Sequence, residues 1–162
     1  MLELRNISFS AEDDSGEKDI LNNISLTIKE RFVAVTGPNG SGKSTMARII
    51  AGITAPTSGS VILDGEDITD LDITGRAKKG ISFAFQQPVR FKGITVFDLL
   101  NMAAGKKLMI SEACDYLSQV GMCARDYINR EVNSSLSGGE LKRIEIATIL
   151  ARGTKVSIFD EP

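Results

Sequence analysis

Nine consecutive residues, Gly37-Pro38-Asn39-Gly40-Ser41-Gly42-Lys43-Ser44-Thr45, have the types and spacing needed to hold an anion. Glycines at 37, 40 and 42 let the backbone turn sharply, so that successive N–H groups point inward around an oxyanion. Lys43 then places an ammonium on the outer phosphates of a bound polyphosphate, and Ser44 offers a hydroxyl to Mg²⁺. Thr45 either reaches the inner phosphate or is a first-turn helix residue. The apolar run Phe32-Val33-Ala34-Val35 precedes the loop, and the amphipathic stretch Thr45-Met46-Ala47-Arg48-Ile49-Ile50-Ala51 follows it. This is the strand–glycine loop–helix order of a P-loop, and the helix adds its positive N-terminal end.

Two further segments carry polar groups suited to the same ligand. Asp160-Glu161 closes the apolar stretch Val156-Ser157-Ile158-Phe159. One carboxylate there can share Mg²⁺ with Ser44, and a second can orient and deprotonate an attacking water. An acidic pair at a strand end is, on its own, just as well a solvated turn. Leu136-Ser137-Gly138-Gly139-Glu140 opens a helix, either as an anion-binding N-terminus or as an ordinary serine cap. Gln86 ends the apolar run Ile81-Ser82-Phe83-Ala84-Phe85, whereas Asp64, Asp67 and Asp72 read as turn and cap residues.

These residues need elements to position them. Strands are expected over 2–9 and 24–28, around an acidic polar loop from Glu12 to Lys18. A buried strand over 32–36 delivers the glycine loop, and the helix after it stops near Gly52. Residues 60–63 and 66–68 form a hairpin with Asp64-Gly65 at its turn. A short helix covers 72–79 and a strand covers 81–85. Thr95 with Asp98 forms a capping box for a helix running to Ala104 and ended by Gly105. Ser111 is expected to cap the next helix, which stops at Gly121. A long helix over 140–152 places Leu141, Ile144, Ala147 and Ala151 on one side, widened by Ile146, Ile149 and Leu150. A last strand covers 156–159. Strands alternating with helices predict an α/β fold with a parallel sheet, with ligands at the carboxyl ends of its strands.

The bulk composition sets outer bounds. A chain of 162 residues suits one compact domain. Net charge is −2 with 25% charged residues, without a basic block or an acidic tail, so no nucleic-acid partner is expected. Apolar runs are too short to cross a bilayer and no secretory signal opens the chain, which points to the cytosol. Cys114 and Cys123 lack a CxxC spacing and read as reduced thiols. There is no histidine, which removes histidine catalysis and histidine metal ligation.

Taken together, the glycine loop at 37–45, Gln86, the signature at 136–140 and the acidic strand end at 156–161 resemble the nucleotide-binding domain of ATP-binding-cassette (ABC) proteins over essentially the whole chain. The resemblance implies a P-loop NTPase: a mostly parallel sheet flanked by helices, an N-terminal antiparallel β part, and a helical subdomain inserted at about 89–139 of a single 1–162 domain. It implies ATP and Mg²⁺ as ligands. ATP would be held by Gly37, Pro38, Asn39, Gly40, Ser41, Gly42, Lys43, Ser44 and Thr45, and the metal by Ser44, Gln86 and Asp160. Catalysis would rest on Glu161 as general base with Gln86 and Lys43. Two such domains pair head to tail, so that Ser137, Gly138 and Gly139 touch the γ-phosphate held by the partner.

The same resemblance has departures and a subtype. Family members continue into a D-loop and a strand leading to a switch histidine, whereas this sequence stops at Pro162, and weak or absent turnover is expected of these 162 residues alone. The adenine-stacking aromatic of the family is missing near Ser10-Ala11, and Phe9 reads as a core strand residue by alternation with Ile7. Phe83-Ala84-Phe85-Gln86-Gln87-Pro88-Val89 and the run Lys142-Arg143-Ile144-Glu145-Ile146 after Glu140 are similar to SufC-type ATPases of iron–sulfur cluster assembly. That reading implies soluble scaffold partners. The alternative is the ATP-binding subunit of a membrane transporter, paired with a permease and peripheral to the inner membrane face. A chromosome-maintenance ATPase of the SMC/Rad50 type is disfavoured, because the interval before the signature is short and lacks heptads.

Overall fold

The computed structural model describes residues 1–13, 16–86 and 90–160. They fall into two compact units, Met1–Lys79 and Gly80–Pro162.

The first unit is built on a sheet of four antiparallel strands. Strands β1 (Leu2–Asp13), β2 (Gly16–Ile28), β3 (Ser58–Leu63) and β4 (Glu66–Asp67) stand in the order β2-β1-β3-β4. Helices α1 (Lys43–Ala51) and α2 (Ile73–Lys79) complete the unit. Leu2 and Leu4 pair with Leu63 and Val61, and all four are buried. Strict alternation from Leu4 would turn Asn6 inward and Ile7 out. Instead Asn6 takes φ 52° at a register shift, and Ile7 is fully buried. Ser25 stabilises that bulge, its hydroxyl accepting from Asn6 N at 2.9 Å and donating to Asn6 Oδ1 at 3.0 Å.

The hairpin β1–β2 is longer than the sequence predicts. Pairing runs on through Ser10–Asp19, Ala11–Lys18 and Glu12–Glu17. Backbone ladder bonds need no apolar side chains, so a polar segment continues an antiparallel pair already in register. Phe9 pairs with Leu21 and is half-buried. Asp64 and Gly65 take φ 52° and 85°, the two left-handed residues of the expected hairpin turn. Asp67 accepts from Thr69 and Asp72 accepts from Gly75 N at 2.7 Å, in the turn and cap roles expected of them.

The strand expected over 32–36 is not formed. The segment belongs to no strand, and Phe32 is 88% exposed. An apolar run becomes a strand only where a neighbouring edge supplies its backbone bonds. Neither edge of this unit's sheet, β2 or β4, pairs with it.

Helix α1 ends at Gly52, whose φ of 76° is the left-handed cap glycine favours. Its last carbonyls are also taken by a buried side chain. Arg76, 1% exposed, donates from Nη1 to Ile49 O and, at 2.9 Å, to Ile50 O. The same guanidinium donates from Nε to Leu71 O at 3.0 Å and from Nη2 to Thr69 O at 2.7 Å. Burial pulls its pKa below the ordinary arginine value, with Asp67 opposing.

The second unit joins a parallel pair, β5 (Ile81–Ala84) and β6 (Val156–Phe159), to helices α3 (Val96–Ala104), α4 (Ile110–Gln119), α5 (Ala124–Tyr127) and α6 (Gly138–Arg152). Helix α6 packs against α3 and α4 around Val96, Leu100, Leu117, Leu141, Ile144 and Ala147. Leu141, Ile144, Ala147 and Ala151 are all buried, as their spacing requires. Ile149 is buried too, whereas Leu150 is 40% exposed. The Thr95 capping box forms, with Asp98 N donating to Thr95 Oγ1 at 3.1 Å and Thr95 N to Asp98 Oδ2 at 3.0 Å. The start of α4 differs from expectation. Its cap is Met109, not Ser111, because Glu112 reaches back to accept from Met109 N at 2.7 Å. Ser111 lies in the first turn, and Gly121 follows the helix with φ 70°.

Candidate functional site

The glycine loop lies in the first unit, directly ahead of α1. Its geometry follows from two left-handed glycines, Gly40 at φ 78° and Gly42 at φ 84°. Gly42 is the helix cap, so no side chain occupies the helix start. It also lies against β2: a β-carbon there would come within 2.6 Å of Leu21 Cδ2 and 3.0 Å of Ile20 O. Only glycine satisfies both the backbone angle and the close approach. The loop closes through Ser41 N donating to Pro38 O at 3.3 Å, and α1 begins with Met46 N donating to Gly42 O at 2.8 Å.

Lys43 folds back over this loop. Its ammonium donates to Gly37 O at 2.9 Å and to Pro38 O at 2.8 Å. Two neutral carbonyl oxygens thus hold the charge, and the loop around them, 37–41, is exposed. The residues present therefore fit a polyphosphate: a cradle that a β-carbon at Gly42 would disturb, an uncapped helix start, and an ammonium held on neutral acceptors. Ser44 and Thr45 stand half-buried in the first turn of α1.

The remaining described candidates belong to the second unit. Gln86 and Asp160 follow the carboxyl ends of adjacent parallel strands, where Ala84 pairs with Phe159. Asp160 N donates to Ala84 O at 3.3 Å, so the ladder continues past β6 and brings these two ends together. Glu161 lies outside the described residues. Among the described residues no cluster of three or more His, Cys, Asp or Glu could hold a metal. The second unit's candidates, one amide and one carboxylate, would leave most of a Mg²⁺ coordination shell to phosphate and water.

Ser137 caps α6. Its hydroxyl accepts from Glu140 N at 3.3 Å, and Glu140 Oε2 accepts from Ser137 N at 2.6 Å. Tyr127 donates its hydroxyl to the other oxygen, Oε1, which lies 3.9 Å from Arg130 Nη1. The Tyr127 hydrogen bond first, then those from the Ser137 backbone and side chain, bring the Glu140 carboxyl down to about 2. The same hydrogen bond pushes the Tyr127 phenol up. Gly138 and Gly139 form the first turn, and a β-carbon on either would meet nothing within 4 Å. Two exposed glycines beside a serine fixed by a carboxylate leave room for an anionic group from outside.

Sequence reasoning missed several residues that shape this site. Tyr127 and Arg130 brace Glu140 from a separate short helix and its exit. Lys142 and Glu145 hold the backbone of Phe85, next to Gln86. Their opposite charges at an i,i+3 spacing were visible, but the backbone they would grip was not.

A family model described as ABC transporter matches residues 21–162. The chain is 40% identical over 156 residues to an uncharacterized ABC transporter ATP-binding protein of Methanocaldococcus jannaschii, covering 91% of this chain and 62% of that protein. It is 35% identical to a probable ATP-dependent transporter of Pyropia yezoensis, covering 90% and 64%. It is 36% identical to the sulfate/thiosulfate import ATP-binding protein of Pseudomonas syringae, covering 99% and 49%. The chain thus spans less than two thirds of the length of these relatives. Among solved structures, a dimeric ATP-binding cassette in a post-hydrolysis state bound to ADP and Pi superposes with a TM-score of 0.84 at 31% identity, covering 99% of this chain and 73% of that one.

Proposed function

The chain belongs to the ABC transporter family, an α/β P-loop fold, and on that premise we propose that the whole protein binds and hydrolyses MgATP as the ATP-binding subunit of a membrane transporter. The observation that carries the ATP reading is the Lys43 ammonium held on the carbonyls of Gly37 and Pro38 at the uncapped start of α1. ATP supplies the phosphoryl group, and Mg²⁺ neutralises charge on its oxygens. Lys43 exchanges its two carbonyl partners for phosphate oxygens. Ser44, Gln86 and Asp160 would be the residues that offer the metal protein oxygens. Glu161 takes the proton of the attacking water.

The names of the relatives support a transporter: an ABC transporter ATP-binding protein, an ATP-dependent transporter and a sulfate/thiosulfate import protein. No helix among the described residues is long and apolar enough to cross a membrane. On the transporter reading a permease would supply the channel, and this subunit would sit peripherally on its cytoplasmic side. Pairing of two cassettes is supported by the dimeric neighbour, and the head-to-tail arrangement is part of the proposal. In such a pair the open space over Gly138 and Gly139 would receive the partner's γ-phosphate.

A second reading, a SufC-type subunit of iron–sulfur cluster assembly, is favoured by Glu140 and by the charged run from Lys142 to Glu145. Of these, Glu140 is engaged on Ser137 and Tyr127, and Lys142 and Glu145 on Phe85. Affinity capture of the full-length protein separates the two: a co-purifying permease supports the first and a soluble scaffold the second. Calorimetry tests the ATP reading itself. Magnesium-dependent ATP uptake should be lost in Lys43→Ala, and its absence from the full-length wild type would refute the proposal. Glu161→Gln should abolish turnover and retain ATP-dependent pairing.

A further inference from the structure

Strand β5 ends at Ala84, and the next residue is handed from the sheet to the side chains of α6. Phe85 N donates to Glu145 Oε1 at 3.0 Å, and Phe85 O accepts from Lys142 Nζ at 2.9 Å. The N–H lies in the peptide plane before Phe85, and the carbonyl lies in the plane shared with Gln86. Holding both planes fixes the φ and ψ of Phe85 and so the direction in which Gln86 leaves the strand.

The aromatic ring is not the anchor. Phe85 is 43% exposed, its ring set edge-on to Phe83 at 5.0 Å. The two charged side chains are mostly covered, each 16% exposed, with Lys142 Nζ 3.3 Å from Glu145 Oε2. That oxygen is buried and accepts no hydrogen bond, so the ammonium is what offsets its charge. A pair this covered costs desolvation, so its presence alone is weak evidence for stability. What it does make is a hydrogen bond to each side of Phe85.

We propose that Lys142 and Glu145 are positioning residues: through the backbone of Phe85 they fix Gln86 relative to the helix that Ser137 opens. The proposal rests on the ATP reading of Gln86 and Ser137. Under it, a shift of α6 on nucleotide-dependent pairing is passed to Gln86 as a rigid displacement, and a shift of Gln86 is passed back to Ser137.

The test uses the full-length protein with Glu145→Ala, Glu145→Gln and Lys142→Met. The first readout is hydrogen exchange of the Phe85 amide without nucleotide. Glu145→Ala should speed it about tenfold or more, whereas Glu145→Gln, whose amide oxygen can still accept, should keep it slow. The second readout is steady-state ATP hydrolysis. Glu145→Ala and Lys142→Met should each lower kcat about tenfold with KM for ATP held within about threefold, and Glu145→Gln should restore most of kcat. Unchanged Phe85 exchange in Glu145→Ala, or no rescue by Glu145→Gln, would overturn the proposal. If Glu145→Ala does not fold, the split between kcat and KM in Lys142→Met and the exchange rate in Glu145→Gln decide it. Failure of the wild type to bind MgATP would sink the function proposed above, and Phe85 exchange would still judge the clamp.

Discussion

A β-carbon at Gly52 would stand 2.9 Å from Cδ and 3.0 Å from Nε of Arg76. The glycine that ends α1 and the arginine that holds its last carbonyls therefore fit together only because one of them has no side chain. Gly52→Ala should destabilise the protein by about 1–3 kcal/mol, through both the left-handed backbone and the displaced guanidinium. Urea unfolding of the full-length protein measures it. Arg76→Lys should be comparably harmful, since one ammonium cannot serve carbonyls on several sides at once. An unchanged unfolding midpoint in both variants would contradict this account.

Lys43→Ala should leave the fold intact and remove most nucleotide affinity. Among the described residues its ammonium hydrogen-bonds to Gly37 O and Pro38 O, both in an exposed loop. Loss of its charged hydrogen bonds to phosphate should weaken MgATP binding about 100-fold. Titration calorimetry beside a circular dichroism melt checks both halves.

Gly138→Ala should separate folding from pairing. A methyl group there meets nothing within 4 Å, so the isolated protein should melt at or above the wild-type temperature. ATP-dependent dimer formation, followed by size-exclusion chromatography, should drop sharply if a phosphate enters that space. Equal dimerisation would show that the open space receives no ligand.

Glu140 gives a pH dependence with a defined sign. Its carboxyl lies near 2 in the folded protein, against an ordinary 4.5, chiefly because Tyr127 donates to it. A lowered native pKa adds stability that is fully present above 4.5 and disappears as pH falls toward 2. The difference in melting temperature between wild type and Glu140→Gln should therefore be largest at neutral pH and shrink through that window. Tyr127→Phe should move the window upward. A difference independent of pH would refute the assignment.

Local signals in the sequence located much of this structure. Thr95 with Asp98, Ser137 with Glu140, and the glycines at 52 and 105 mark helix ends through bonds made within a few residues. Asp64-Gly65 marks a turn for the same reason. What the sequence hid is tertiary. Arg76 sits in the basic stretch Ile73–Lys79 and looks like a solvated charge, yet its partners are the carbonyls of Ile49 and Ile50 on another helix. Phe32 and Val33 have the composition of a buried strand without an edge of their unit's sheet to pair with. The glycine loop was the most legible part of the site, because φ, spacing and lysine reach are all encoded over nine residues.

The burial of Arg76 has an electrostatic consequence at the opposite end of α1. The helix has nine residues and is about 14 Å long, too short for its two poles to act independently. A negative pole at that distance would cancel part of the attraction its N–H groups exert on an anion. With a guanidinium on the carbonyls of Ile49 and Ile50 the negative pole is neutralised. Helix α1 then acts on an approaching anion as a single positive charge rather than a dipole, and Arg76 strengthens the attraction at Gly42 without touching anything bound there.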